Sequence, residues 1–417
     1  MKYGLIGGKL SHSFSPEIHS RLKSNPYELK ELKERELEPF LKKRDFRGIN
    51  VTIPYKQAVI PLLDETDISV KEIGAVNTIV NNNGRLVGYN TDFYGMKTTL
   101  ERFSIDIKGR TVAILGTGGT AHTARAVCKA LGAKEIHFVS RIKKEGVITY
   151  SQLYRKAEDI EVIINTTPVG MYPEAQGEPV DIDSFPALIG LMDVIYNPLR
   201  SKLVIKARQK GIAVVGGLYM LIAQGLRASE LFTGYSYGKK ELEKLYSEIL
   251  LEKENIVLIG MPSSGKSTVG REIASILGME FIDTDELIEK TTGKEITEIF
   301  AEGGERLFRE FEKCAVKDAA AKTKSVIATG GGAVLDKENV ERLKSNGRII
   351  FLDRSLEELI PTPDRPLALN KDALLALYEK RYPIYNGAAD IVIRTEESVE
   401  KTAKKIIGEL QNEDIYN

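Results

Sequence analysis

Residues 256–268 read IVLIGMPSSGKST, an apolar run that breaks at Gly260 and gives way to a helical period over Val269–Leu277. The break fits G-x-x-x-x-G-K-[ST] through Gly260, Gly265, Lys266 and Ser267, with a strand before it and a helix after it, the context that this pattern requires. The residue types follow from what a phosphate needs. Glycines let the backbone approach closely, and a turn opening a helix aims N–H groups and the positive end of the helix at negative charge. Pro262, Ser263, Ser264, Gly265, Lys266, Ser267 and Thr268 are therefore the expected nucleotide cradle. Lys266 is placed to neutralise the β- and γ-phosphates of ATP, and the Ser267 hydroxyl to ligate Mg²⁺.

Working outward, a second glycine turn stands far upstream. The segment 110-RTVAILGTGGTAHTARAV-127 again gives strand, turn and helix, with Gly116, Gly118, Gly119, Thr120 and Ala121 in a dinucleotide-type turn. The next strand, 135-EIHFVS-140, ends where an acidic residue would select NAD through the ribose 2′-hydroxyl. Here Ser140 is followed by Arg141, Lys143 and Lys144, which suits the 2′-phosphate of NADP. Short apolar runs alternate with helical periods on both sides of these turns. Tyr3–Ile6, Gly48–Ile53, Thr111–Leu115, Val162–Asn165, Leu191–Ile195 and Ala213–Val215 form one series of expected strands. Ile256–Ile259, Val326–Ala328, Ile349–Leu352 and Ile391–Ile393 form another. The pattern is α/β with mainly parallel sheets. Between the series, 238-GKKELEKLYSEILLEKE-254 is charged and helical in period, which puts a boundary near Leu250.

Bulk properties bound the rest. A chain of 417 residues exceeds one ordinary core, so two or three domains are expected. Its 59 basic and 59 acidic residues cancel, which argues against a nucleic-acid partner. Only Cys128 and Cys314 occur, far apart, so a disulfide framework is not expected; both read as core residues of helices. No stretch approaches the length of a membrane span, and the N-terminus lacks a signal-peptide pattern. A cytoplasmic protein acting on small molecules, as a monomer or homodimer, is the expectation.

In the second half, 281-FIDTDELI-288 places Asp283 and Asp285 on alternate residues of an expected strand end, where period 2 would aim both into the nucleotide site. Further on stand 299-IFAEGGERLFREFE-312, 329-TGGGAV-334, 364-DRPL-367 and 381-RYPIYNGAAD-390. Together with the glycine turn, these motifs resemble shikimate kinase over residues 253–411. The resemblance implies that Asp283 joins the Mg²⁺ shell and that Asp285 holds and activates the substrate hydroxyl. Arg309 and Arg381 would grip the substrate carboxylate, Gly331 would offer backbone contact, and Arg365 would close on the transferring phosphoryl group. A carboxylate with several hydroxyls calls for guanidinium forks at one end and a carboxylate acceptor at the other. Arg309 and Glu312, three residues apart, could instead simply pair with each other. The lid region, 353-DRSLEELIPTPDRPL-367, is shorter than is usual in the family.

In the first half, polar motifs sit in short turns: 11-SHSFSPEIHS-20, 50-NVTIPYK-56, 74-GAVNT-78, 88-GYNTD-92, 165-NTTPVGM-171, 193-DVIYNP-198 and 219-YMLIAQ-224. Their order resembles shikimate dehydrogenase over residues 1–250. The resemblance implies that Ser13 and Ser15 bind the substrate carboxylate, that Thr52, Asn77, Asp92 and Gln224 bind its hydroxyls, and that Lys56 and Asp92 form the catalytic pair. Thr166 would lie against NADP, and Tyr196 and Gly217 would approach the nicotinamide end, with Met220 packing nearby. Reducing a ketone with NADPH requires a proton on oxygen, which a lysine ammonium held by a carboxylate can supply. His12 reads as an exposed loop residue and His19 as helix packing; no Cys/His cluster has metal-ligand spacing.

The expected architecture is an N-terminal α/β substrate domain (residues 1–100, with helices of 218–250 packing back on it), a Rossmann NADP-binding domain (101–217) and a P-loop kinase domain with a central parallel sheet (251–417). The expected activities are consecutive: 3-dehydroshikimate to shikimate, then shikimate to shikimate 3-phosphate. Two other readings of the first half are quinate as substrate and a non-catalytic module that regulates the kinase. Retention of both Lys56 and Asp92 argues against the second.

Overall fold

A computed structural model describes residues 1–10, 14–359, 371–396 and 398–412. The chain falls into two compact units: Met1–Asn197 with Ser201–Ile249, and Pro198–Arg200 with Leu250–Asn417.

The first unit holds two six-stranded sheets. One is built from β1 (Tyr3–Gly7), β2 (Tyr27–Glu31), β3 (Gly48–Val51), β4 (Glu65–Thr66), β5 (Thr78–Asn82) and β6 (Arg85–Tyr89), in the order β2-β1-β3-β5-β6-β4. β1 pairs in parallel with β2 and β3, whereas β5 runs antiparallel to both β3 and β6. The antiparallel hairpin departs from the expected parallel pattern. Its turn, Asn82–Asn83–Gly84, takes positive φ at Asn83 and Gly84, the chemistry of a tight hairpin. β2 was also not expected, because YELKE lacks apolar alternation; it is a mostly exposed edge strand, where charge discourages further pairing.

The second sheet contains β7 (Thr111–Leu115), β8 (Glu135–Ser140), β9 (Val147–Thr149), β10 (Val162–Asn165), β11 (Gly190–Asp193) and β12 (Ala213–Val215). All neighbours are parallel, in the order β12-β11-β10-β7-β8-β9. β7, β10 and β11 are buried along their whole length, as strands covered on both faces must be. The order reverses between β7 and β10, so their C-terminal ends open the crevice in which such sheets bind ligands.

In the second unit, β13 (Asn255–Ile259), β14 (Glu280–Asp283), β15 (Ser325–Ala328), β16 (Gly347–Asp353) and β17 (Ile391–Arg394) form a wholly parallel sheet, β14-β15-β13-β16-β17. Val257, Ile327, Ile349 and Phe351 face a core closed by Val316, Leu374 and Tyr385; Leu258 and Val326 face another closed by Ile273 and Ile406. Among the described residues, no helix is long and apolar enough to cross a membrane. Cys128 is buried as expected, and burial pushes its thiol up to about 12. Cys314 is exposed instead, because it lies off the Phe308–Glu312–Ala315–Ala319 stripe that its helix buries.

Two candidate active sites

In the first unit, the turn after β3 carries Thr52 and Lys56, and the helix Thr91–Arg102 carries Asp92 in its first turn. Asn90 caps that helix by accepting from Phe93 N. Lys56 Nζ lies 2.6 Å from Asp92 Oδ2, and the two side chains keep 23% and 14% of their exposure, so the pair is largely desolvated yet reachable. Beside it, Asn77 Oδ1 accepts from Thr91 N at 2.7 Å and from Thr78 Oγ1 at 3.1 Å, while its Nδ2 donates to Thr91 Oγ1 at 3.1 Å. Both Oδ1 lone pairs are thus committed, which leaves Asn77 as a donor toward the cleft. Thr91 Oγ1 in turn reaches Gln224 Oε1 at 3.4 Å, on the helix Leu218–Thr233. Ser15 begins the short helix Ser15–Ser20, and its neighbour Phe14 packs on Tyr196, ring centroids 5.2 Å apart. Ser13 and His12 lie outside the described residues. His19 is buried against Tyr27 as helix packing.

At the crevice of the second sheet, Gly116 takes φ +108, and a Cβ there would lie 2.7 Å from Thr166 Oγ1. Thr166 itself is fixed by donating to Leu115 O at 2.6 Å. Gly118 caps the helix Gly119–Ala130, which opens with Gly119, Thr120 and Ala121. Ser140 ends β8, its hydroxyl accepting from Ile142 N at 3.1 Å, and Arg141, Lys143 and Lys144 are exposed around that turn. Gly217 presses on the Val194 carbonyl, leaving no room for a Cβ. Met220 is buried in the core that also contains Ile114 and Met96.

Behind this crevice stands a carboxylate that sequence reading missed. Asp193 Oδ1 accepts from Asn165 Nδ2 at 3.0 Å and Ile195 N at 3.1 Å, and Oδ2 accepts from Ser201 Oγ at 2.6 Å. Asn165 passes the order on, accepting from Thr167 N and Oγ1 at 3.0 and 2.7 Å. Burial pushes Asp193 up to about 7, against the lowering effect of its three donors.

In the second unit, β13 runs into the glycine turn and the helix Lys266–Leu277. Gly260, Ser263 and Gly265 all take positive φ, which folds the turn around a concave run of N–H groups. Ser264 is buried within the turn, Thr268 is exposed on the helix, and Lys266 Nζ donates to Gly260 O and Met261 O at 3.0 and 2.8 Å. Ser267 Oγ donates to Asp283 Oδ2 at 2.6 Å. Two hard oxygens beside a phosphate cradle suit Mg²⁺, which takes few protein ligands and shares the rest with phosphate and water. Asp285 does not continue the strand as expected. β14 ends at Asp283, which caps the helix Thr284–Thr292 by accepting from Asp285 N at 2.9 Å. Both carboxylates still reach the site, because a helix start rather than strand alternation turns them there.

Asp283, Asp285, Arg309, Glu312, Arg381, Pro262 and the Gly330–Gly332 turn line one cavity of about 360 Å³. Arg309 pairs with Glu312 at 2.7 Å and Glu305 at 2.8 Å, so the alternative of a simple intrahelical pair and the expected place in the pocket both hold. Burial works against its charge, yet the two glutamates keep the guanidinium above its ordinary value. Burial pushes Glu312 up, the Asp285 carboxylate adds to this, and Arg309 opposes it. The guanidinium lies flat on Gly332: a Cβ there would sit 2.5 Å from Arg309 Cζ and nearer still to both terminal nitrogens. Gly331 O accepts from Arg381 Nη1 at 3.1 Å and from Tyr385 Oη at 2.5 Å, which leaves its N–H as the backbone group free to face a ligand. Tyr385 was missed as a site residue although it stands in the same RYPIY run as Arg381. Arg365 lies outside the described residues.

Known proteins match both halves. A family model described as shikimate dehydrogenase substrate binding domain matches residues 5–79, and one described as shikimate kinase matches residues 262–411. The chain is 37% identical over 265 residues to a shikimate dehydrogenase (NADP(+)) of Clostridium perfringens, an alignment covering 59% of this chain and 97% of that one. Among solved structures, it resembles a chorismate mutase/shikimate 5-dehydrogenase fusion protein from Clostridium acetobutylicum, with TM-score 0.56 and 33% identity over 59% of this chain and 96% of that one. It also resembles a shikimate 5-dehydrogenase from Thermus thermophilus in complex with NADP(H) and shikimate, with TM-score 0.54 and 28% identity over 60% of this chain and 99% of that one.

Proposed function

The chain belongs to the shikimate dehydrogenase family and carries a shikimate kinase domain in the same polypeptide, and from this we propose the residue-level mechanism of its two consecutive reactions. The first is NADPH-dependent reduction of 3-dehydroshikimate to shikimate. The second is ATP- and Mg²⁺-dependent phosphorylation of shikimate to shikimate 3-phosphate. The observation that carries the mechanism is the 2.6 Å pair of Lys56 and Asp92, an ammonium held at the rim of a cleft lined by the Asn77 donor.

In the first reaction NADPH, when bound, supplies the hydride to the ring carbonyl carbon. Lys56 gives a proton from Nζ to the carbonyl oxygen as the C=O π pair collapses onto it, and Asp92 keeps the ammonium placed for that transfer. Asn77 donates to a ring hydroxyl, with Thr52 and Gln224 as further hydroxyl partners. Ser13 and Ser15 donate to the carboxylate, and Tyr196 with Gly217 bounds the nicotinamide end. Ser140, Arg141 and Lys143 take the 2′-phosphate of NADP, and Gly116, Gly118, Gly119, Thr120, Ala121 and Thr166 border the rest of the cofactor.

In the second reaction, ATP with Mg²⁺ provides the phosphoryl group, the metal being held by Ser267 and Asp283. Asp285 accepts the proton of the attacking hydroxyl, Arg309 and Arg381 fork the shikimate carboxylate, and Arg365 covers the transferring group. Lys266 and the N–H groups of the turn bear the phosphate charge, since this chemistry needs spread positive charge more than covalent help. A cytoplasmic monomer or homodimer fits these substrates.

A coupled assay on the intact chain tests the reading. NADPH should be consumed with 3-dehydroshikimate, and ADP should then appear once ATP and Mg²⁺ are added. Quinate, offered in place of shikimate for oxidation with NADP⁺, should turn over far more slowly. Absence of ADP release, or equal turnover of quinate, would sink it.

A further inference from the structure

Two side chains with no proposed contact to substrate connect the two ends of the dehydrogenase pocket. Tyr27 opens β2, and its phenol oxygen accepts a hydrogen bond from the Ser15 hydroxyl. The phenol then donates to Asn50 Oδ1 at 2.7 Å. Asn50, in β3 and only 6% exposed, donates from Nδ2 to Thr78 Oγ1 at 2.9 Å and to Asn77 O at 3.2 Å. Thr78 Oγ1 donates to Asn77 Oδ1 at 3.1 Å. The chain has one direction throughout: Ser15, Tyr27, Asn50, Thr78, Asn77. Each hydroxyl spends its single proton on the next member.

This bridge is not required to hold the strands. β1 lies between β2 and β3, and its ladder pairs with both: Tyr3 faces Tyr27 on one side and Gly48 on the other. The Tyr27–Asn50 contact therefore arches over a strand already fixed by its backbone. The phenol is held on a rigid support as well. Its ring stacks on His19 with centroids 3.9 Å apart and planes 5° apart, and His19 is in turn held by Ser24 at 2.5 Å. Burial pulls His19 down to about 3, so the support stays uncharged.

We infer that Tyr27 and Asn50 are positioning residues for substrate recognition, fixing the span between Ser15 at the carboxylate end and Asn77 at the hydroxyl end. The inference rests on the roles proposed above for Ser15 and Asn77. It explains why a polar bridge is buried where a phenylalanine beside an apolar residue would pack as well: only a hydrogen-bonded link transmits a set distance between the two recognition groups.

The test uses the full chain carrying Tyr27→Phe, Ser15→Ala or both. Tyr27→Phe should raise KM for shikimate oxidation roughly 5- to 13-fold, the weight of one neutral hydrogen bond. Its kcat should stay within about twofold and its KM for NADP⁺ and its kinase activity should be unchanged. Because Tyr27 acts through Ser15, the double variant should be no more than about twofold worse than Ser15→Ala alone. An unchanged KM for shikimate in Tyr27→Phe, or penalties that multiply in the double variant, would overturn the inference while leaving Ser15 in its role. A parallel loss of NADP⁺ affinity, kcat and thermal stability would make Tyr27 merely structural and overturn it too. No effect of Ser15→Ala would instead remove the reading of Ser15 and the inference with it.

Discussion

Adding one methyl group at Gly332 should cripple phosphorylation of shikimate while leaving its formation untouched. The residue has φ −104 and ψ −5, a conformation open to alanine, so backbone strain is not involved. What forbids the methyl is Arg309, whose Cζ would lie 2.5 Å from the new Cβ, against an ordinary carbon–carbon contact of about 3.5–4.0 Å. The guanidinium must withdraw by about 1 Å or more to restore ordinary contact. It can do so cheaply, swinging toward Glu305, which already accepts from Nη2 at 2.8 Å near the helix surface. The fold should therefore survive and the fork should leave the cavity. A hydrogen bond to a charged group contributes about 1.5–3 kcal/mol, so KM for shikimate in the kinase reaction should rise roughly 13- to 160-fold. The assay varies shikimate at saturating ATP and follows ADP, with NADPH-linked turnover of the same preparation as the standard for intact protein. A Gly332→Ala enzyme with normal KM for shikimate would refute both the seat of Arg309 on this turn and its part in binding.

Other outcomes follow from the first unit. Lys56→Ala should lower the dehydrogenase kcat by about 10²- to 10⁴-fold, the usual weight of a positioned proton donor, without change in ATP turnover; near-normal kcat would remove Lys56 from proton transfer. Arg141→Ala should raise KM for NADPH about fivefold to tenfold and leave KM for NADH alone, since only the former carries the 2′-phosphate; equal effects on both would move the selectivity elsewhere. Asp193→Asn should alter stability with a defined sign. The native carboxyl titrates near 7 and the unfolded one near 3.8, so wild type loses stability relative to the variant as pH rises from about 4 to 7, and the difference is flat beyond. Thermal melts of both proteins across that range check it, and parallel curves would mean that Asp193 ionises as an ordinary aspartate.

The phosphate sites were legible because their chemistry is local: a glycine turn between an apolar strand and a helix needs only a dozen consecutive residues, and both turns lie where expected. Lys56 and Asp92 were legible only through resemblance, since nothing local marks Lys56 as different from a surface lysine; the 2.6 Å approach is made by the fold. Asp285 illustrates a right destination reached by a wrong path. Alternation along a strand was the available rule, yet the Asp283 side chain ends the strand by capping a helix, a competition that FIDTDELI does not announce. The hairpin of β5 and β6 escaped because two of its strands are rich in Asn and Gly, and β2 because an exposed edge leaves no apolar rhythm. Tyr27, Asn50 and Asp193 were invisible for a different reason: their importance consists of partners distant in sequence, and no spacing encodes a hydrogen bond between strands.

The three donors on Asp193 carry a consequence for how this region can vary. The loop beginning at Asn165 and the segment from Ile195 to Ser201 share no backbone ladder with each other beyond the end of the sheet, yet both hang on one carboxylate. Replacing any one of these residues strands the others with unmet polar groups in a dry interior, so single changes should each cost nearly what the whole set costs, and second changes should cost little more. Such a set drifts as a block. Across descendants of this sequence, position 165, position 193 and position 201 should be inherited together or exchanged together, with few lineages caught in between.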